Sequence, residues 1–165
     1  MTEPCTCIKI MKEAFFSYAA KDENIASELY RVMERNEIDT FMAEISIKPG
    51  KKWKDEIFAN LNKAKWIFFL ATKNSCKSQN VHLELGGALA QKKIIIPVLI
   101  DVIPEELPDF IRDYQAIDFN KSPESLFTTI KDISEEIKSD KLRSYLIMGL
   151  SVAFVGILFM SLRKR

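Results

Sequence analysis

With 165 residues, 47% of them hydrophobic, the chain has room for one ordinary domain with a packed core plus an appendage, and general disorder is excluded. The net charge of +1 hides an asymmetry: residues 1–140 carry 23 acidic and 19 basic side chains, net −4, whereas residues 141–165 carry only basic ones. An acidic folded part argues against a nucleic-acid partner, because such a surface repels phosphates.

In chain order, short apolar runs alternate with amphipathic stretches. Ala14-Phe-Phe-Ser17 has the composition of a strand buried on both faces, and Ile25, Leu29, Val32 and Met33 then make an apolar stripe at helical spacing. Ile38 to Met42 is the second expected strand. After a Pro49-Gly50 turn, a second helix places Trp53, Ile57, Leu61 and Ala64 on one face. Trp66 to Ala71 is the third strand and about Val81 to Ala90 the third helix, with Val81, Leu85, Ala88 and Leu89 as its apolar face. Ile94 to Ile100 is an apolar run typical of a central parallel strand. Pro97 inside it cannot donate to a ladder, so it points to a strand end or an unpaired side. A short fourth helix is expected near Pro108 to Arg112 and a fifth strand at Ala116 to Phe119. Ser122 and Pro123 have the character of an N-cap and a first helical residue, and they open a last helix with Leu126, Ile130, Ile133 and Ile137 turned inward.

Five strands alternating with helices imply a doubly wound five-stranded parallel sheet, since right-handed crossovers leave few other arrangements. Such sheets bind ligands at the carboxyl ends of their strands. The loops there are Ser17 to Glu23, Ala43 to Lys52 and Thr72 to Asn80. Three uses of the architecture lack their residues. No carboxylate ends the third strand, as a phosphoacceptor needs; Tyr18-Ala-Ala-Lys21 is not a hydroxyl-rich phosphate loop; and five glycines, two of them in the tail, do not supply a GxGxxG turn. Cys5, Cys7 and Cys76 with the single His82 do not make a metal site, and three free thiols in a reducing compartment account for them.

The tail carries a second signal. Ser144 to Leu162 is a run of 19 residues without a charge, flanked by basic residues at both ends. As a helix it spans roughly 28 Å, close to the ~30 Å hydrocarbon thickness of a bilayer. Gly149 and Ala153 form a small-xxx-small pair suited to helix packing in lipid. The first 15 residues lack the long apolar run of a secretory leader. The expectation is therefore a single-pass tail anchor: a domain at residues 12–137 in the cytoplasm, a linker at 138–143, a transmembrane helix at 144–162 and a basic tail at 163–165.

The segment Ser78-Gln-Asn-Val-His-Leu-Glu-Leu85 concentrates the functional interest. It lies on a strand-to-helix turn and brings one carboxylate, Glu84, near the mouth of the sheet, on the flank of the helix's apolar face and in its expected first turn, where the helix dipole favours the ionised form.

Four segments in this order resemble the Toll/interleukin-1 receptor (TIR) domain, in the compact form common in bacteria. Phe15-Phe-Ser-Tyr18 with Asp22 resembles its first-strand box, and Ile47-Lys-Pro-Gly50 with Trp53 its second loop. Residues 78–85 are similar to its Ser-x-Trp-Cys-x-x-Glu-Leu segment, and Ile96-Pro-Val-Leu-Ile100 to its fourth-strand box. Two positions depart from the pattern: Asn80 stands where the family often has Trp, and Ala43 where it often has Asp. The resemblance implies a flavodoxin-like doubly wound sheet and, as in many members, an enzyme that cleaves NAD at the nicotinamide–ribose bond. NAD is then substrate, with no other cofactor and no metal. It further implies Glu84 as the catalytic carboxylate. Ser17, Tyr18, Ala19, Ser46, Gly50, Trp53, Ser78 and Asn80 would bind substrate or support the site. Self-association, or association with other TIR domains, is the implied partnership beside NAD and the membrane. A member of another class, a membrane-tethered adaptor without chemistry, stays open as the alternative, and a tail that acts by perturbing the membrane is a third.

Overall fold

The computed structural model describes residues 13–42 and 53–140, together with Leu142. Five parallel strands, β1 (Ala14–Ser17), β2 (Thr40–Phe41), β3 (Trp66–Ala71), β4 (Ile94–Leu99) and β5 (Ile117–Asp118), form one sheet in the order β2-β1-β3-β4-β5. The helices are α1 (Glu23–Arg35), α2 (Trp53–Lys63), α3 (Gln79–Ala90) and α4, over residues 123–140. This is the doubly wound arrangement, with the strand order reversing between β1 and β3.

Strands β1, β2 and β3 are buried throughout because helices cover both faces of the sheet, whereas β5, at its edge, is only partly buried. Phe15, Phe41, Ile67, Phe69, Leu61 and Leu85 belong to the cluster beneath α2 and α3. Phe16, Phe68, Leu70, Met33, Leu126 and Ile130 belong to the cluster beneath α1 and α4. Successive residues of β1 and β3 thus alternate between two cores, which is why these strands have unbroken apolar sequences rather than alternating ones. Gly87 faces α2, where a Cβ would meet Leu61 Cδ2 at 3.2 Å, so α3 packs close to its neighbour.

Of the expected helix faces, Ile57, Leu61 and Ala64 of the α2 stripe and Val81, Leu85 and Ala88 in α3 are buried, the side chain of Trp53 lies outside the described residues, and α1 shows a shift. Ala26, Leu29 and Met33 are its buried positions, and Ile25 is 38% exposed. The small Ala26 lies against the sheet, rotating the stripe by one residue from the largest side chains. Near Pro108 to Arg112 the chain forms turns at residues 109–113 instead of a fourth helix, preceded by a 3₁₀ turn at Pro104–Glu106. Ile111 alone of that stretch is fully buried, too little apolar surface to carry a helix of its own.

Pro97 lies inside β4, opposite Phe69 of β3. The amides of Ile94 and Ile100 donate to Lys65 and Ala71 on the β3 side, so alternation turns position 97 toward β5. There β5 begins only at Ile117, opposite Val98, so the missing N–H costs the ladder nothing.

The end of α4 is tied to the amino-terminal edge of the sheet. Lys65, just before β3, pairs with Glu136 at 2.5 Å, and Lys138 pairs with Glu37, between α1 and β2, at 2.6 Å. The chain therefore leaves the domain at the edge opposite the carboxyl ends of the strands. The expected membrane helix at residues 144–162 lies outside the described residues; among the described residues no helix is long and apolar enough to cross a membrane.

Candidate active site

The reversal of strand order puts the carboxyl end of β1 beside that of β3, and the two loops leaving these strands face each other. Ser17 is the last residue of β1, fully buried, opposite Phe69 of β3. Its hydroxyl donates to Glu84 Oε2 at 2.7 Å. Glu84 comes from α3, whose buried residues are Val81, Glu84, Leu85 and Ala88. These are positions i, i+3, i+4 and i+7, so the carboxylate occupies the centre of the apolar stripe instead of its flank. Only 8% of Glu84 is exposed.

That placement governs its ionisation. Burial pushes the Glu84 carboxyl up from 4.5 to about 7, against the hydrogen bond from Ser17, which acts downward. The expected help from the helix dipole fails for a geometric reason. Helix α3 begins at Gln79 with Ser78 as its N-cap, so Glu84 is beyond the first turn, where the dipole has faded. The carboxyl is therefore poised near neutrality, a condition found at catalytic acids and bases.

The remaining candidates separate by position. Ala19 is buried at the start of the first loop, and its amide donates to Ser75 Oγ at 2.9 Å. Tyr18 packs against the cluster under α1 and α4, because strand alternation turns it from the side that Ser17 shares with Glu84. Ser78 caps α3, its hydroxyl accepting from the Val81 amide at 3.4 Å. Asn80 is exposed in the first turn of the same helix. Trp53 opens α2, but its side chain, together with Ser46 and Gly50, lies outside the described residues. Ser17, Ala19 and Glu84 are thus gathered at one edge, with Ser78 and Asn80 at the helix start above them.

One cluster lies beyond the candidates singled out by sequence. Asp22, 6% exposed, accepts from Thr72 Oγ1 at 2.5 Å, Ser75 Oγ at 3.1 Å and Asn74 Nδ2 at 2.7 Å. It joins the loop after β1 to the loop after β3. The signal available in sequence was Asp22 itself, within the first-strand box, but its partners are about fifty positions away. His82 is also structural: its Nε2 lies 2.8 Å from the Cys76 carbonyl, and its ring meets Phe110 edge-on. Burial pushes the Cys76 thiol up to about 11, with Glu106 and Asp101 adding to it, so that thiol stays protonated at neutral pH. Among the described residues no group of three or more His, Cys, Asp or Glu side chains is placed to hold a metal.

This fold and this set of residues can be placed among known proteins. The sequence profile of the TIR domain matches residues 14–131, most of the chain and all five strands. The chain belongs to the TIR domain family. Solved TIR structures resemble it in fold. The TIR domain of the Toll-related receptor TRR-2 from Hydra magnipapillata aligns at a TM-score of 0.62 and 21% identity, covering 73% of this chain and 96% of that one. A TIR-STING receptor from C. gigas, in complex with 2',3'-cGAMP, aligns at 0.60 and 22% identity over 72% of this chain and 39% of the receptor. The TIR domains of the activated Roq1 resistosome align at 0.52 and 17% identity, over 75% and 84%. No match was found among curated proteins.

Proposed function

We propose that this TIR domain protein is a membrane-anchored NAD hydrolase that cleaves the nicotinamide–ribose bond, with Glu84 as its catalytic carboxylate. The observation that carries the reading is a single carboxyl in the middle of an apolar helix stripe, held by Ser17 at the strand-order reversal and poised near neutral pH. A carboxyl that served only the fold would be replaced there by a leucine with a gain in stability; burying an ionisable group is costly, and among the described residues the partner shown for Glu84 is the neutral Ser17 hydroxyl.

The chemistry follows from charge. Departure of nicotinamide leaves an oxocarbenium-like ribose, as in glycoside cleavage, and a carboxylate in a dry site stabilises that charge more than water does. Glu84 must be ionised to do so. The pyridinium of NAD brings a positive charge, and a cation close to a carboxyl lowers its pKa, so substrate binding itself favours the reactive form. The Ser17 hydroxyl acts in the same direction.

The anchor at residues 144–162 and the site fit together in this reading. Helix α4 ends at the sheet edge opposite Glu84, so a tether following it would turn the Ser17–Glu84 end of the sheet away from the membrane. NAD is the substrate, and no other cofactor is required. TIR domains also occur in assemblies, as in the Roq1 resistosome, and self-association of this chain in the plane of a membrane is the partnership that such a tether promotes. The ligand 2',3'-cGAMP belongs to a receptor of which this chain spans 39%, and nothing is carried from it to this site.

The test is nicotinamide release from NAD by the full-length protein in vesicles. Wild type should release nicotinamide, Glu84→Ala should lose at least about 100-fold, in the range for removing one charge-stabilising group. The value of kcat/KM should rise with pH to a plateau above about 7. Failure of concentrated, membrane-embedded wild type to release nicotinamide above background would overturn the enzyme reading in favour of the non-catalytic adaptor.

A further inference from the structure

We infer that Asp22 is a positioning residue of this site: its buried carboxylate clasps the loop after β1 to the loop after β3, and so holds in register the segment that follows Ser17 and the segment that leads into the helix of Glu84. The role rests on the NAD-cleaving reading for its catalytic consequence, but the clasp is defined by geometry alone.

The hydrogen bonds form a closed circuit in which every donor is used. The Ser75 amide donates to Thr72 Oγ1 at 2.9 Å, and the Thr72 hydroxyl donates to Asp22 Oδ2. The Ala19 amide donates to Ser75 Oγ, and the Ser75 hydroxyl donates to the same Asp22 oxygen. Asn74 Nδ2 donates to the other oxygen, Oδ1, from the exposed side. Thr72, Ser75 and Asp22 are all at least nine-tenths buried. Only an acceptor with two oxygens satisfies three donors arriving from two directions, which is the reason for an aspartate here.

Its position gives the circuit a functional lever. Ala19 is two residues from Ser17, whose hydroxyl holds Glu84, and Ser75 is three residues before Ser78, the cap of the helix that carries Glu84. Both segments bonded to Glu84 or leading into its helix are therefore fastened to one carboxylate. Without it, the Thr72 and Ser75 hydroxyls lose their acceptor in a dry place, and the two loops keep only the Ala19 amide bond to Ser75 Oγ, whose serine is itself no longer held. A wall that shifts by an ångström is enough to misplace a substrate.

The experiment compares wild type, Asp22→Ala and Asp22→Asn in the full-length, vesicle-embedded protein by site-resolved amide hydrogen exchange and NAD kinetics. In Asp22→Ala the amides of Ala19 and Ser75 should exchange at least tenfold faster, beyond any change at Phe68 in the central strand. The KM for NAD should rise at least fivefold. A mere loss of folded protein lowers the apparent kcat and leaves KM alone, so the KM change separates positioning from stability. Asp22→Asn should recover most of both, because the exposed Asn74 amide can turn its oxygen to meet the new NH2 while the remaining oxygen keeps the two hydroxyls. Should Asp22→Ala not fold, Ser75→Ala, which cuts the tie to Ala19 while sparing the carboxylate, must show the same local exchange and KM change. Unchanged exchange at Ala19 in these variants overturns the clasp. Faster exchange with wild-type KM and kcat overturns its positioning role. Faster exchange in a protein whose wild type cleaves no NAD supports the clasp and refutes only the enzyme reading.

Discussion

Replacing Glu84 with glutamine should make the protein more stable at alkaline pH, and the gain should vanish in acid. The folded-state pKa of about 7 lies above the ordinary value of 4.5, so between these values the folded chain keeps a proton that the unfolded chain has lost. Wild-type stability therefore falls as pH rises through that window and levels off above it. Two to three pH units at 1.36 kcal/mol each give about 3 kcal/mol by pH 8, with little solvent discount at a site this buried. Glutamine has the same shape, and its carbonyl oxygen can accept the Ser17 hydroxyl, so the packing of Leu85 and Val81 is preserved. Its amide never ionises, and the penalty disappears. Urea unfolding followed by tryptophan fluorescence, with Trp66 only 4% exposed in the core, measures the difference at pH 4.5, 6, 7 and 8. The gap between variant and wild type should open from near zero to about 3 kcal/mol. A gap independent of pH, or a wild type that is the more stable at pH 8, would refute the claim that burial governs this carboxyl. Combined with lost NAD cleavage, the predicted gain would mark a site where stability is given up for function.

Other outcomes follow from the same contacts. Ser17→Ala removes the bond that lowers the Glu84 pKa, so the acid limb of the kcat/KM profile for NAD should move to higher pH, and a limb that stays in place would show that the bond is without consequence. Phe68→Ala empties a fully buried position of β3 beside the Phe16 ring and should cost about 3–5 kcal/mol in urea unfolding, whereas the 45% exposed Phe127→Ala should cost less than about 1 kcal/mol. Membrane-embedded full-length protein should cleave NAD faster per molecule than a 1–138 fragment at equal low concentration, and artificial clustering of the fragment should restore much of the difference; equal rates across a range of concentrations would remove the tail from the mechanism.

The sequence by itself determined the elements whose signal is local. The unbroken run Trp66–Ala71 is a strand to the residue, because a doubly covered strand needs apolar side chains on both faces. Leu126, Ile130, Ile133 and Ile137 are buried as their spacing requires, since a helix on a sheet offers one stripe. Pro97, expected at a strand end or on an unpaired side, lies within β4, on the side that pairs with β5 only from Val98 onward. The alternation of strands and helices fixed the sheet as parallel and doubly wound. The order of segments pointed to Glu84, Ser17 and the loops around them as the candidate site.

What only the tertiary structure decided concerns contacts made across crossovers. Ser17 and Glu84 are 67 positions apart, and Asp22 meets Thr72 across 50, distances over which no periodicity speaks. Whether a carboxylate on a helix lies at the edge or the centre of the stripe depends on where the helix starts and how it rolls on the sheet. A start at Gln79 took Glu84 out of the first turn and into the core, exchanging a favourable dipole for desolvation and raising its pKa. The rotation of α1 onto Ala26, the turns at 109–113 and the placement of Tyr18 on the opposite face share that origin. Local sequence sets which faces are apolar, but the packing of helices on the two sides of the sheet decides which residue of a face touches it, and the ionisation of a buried group follows from that contact.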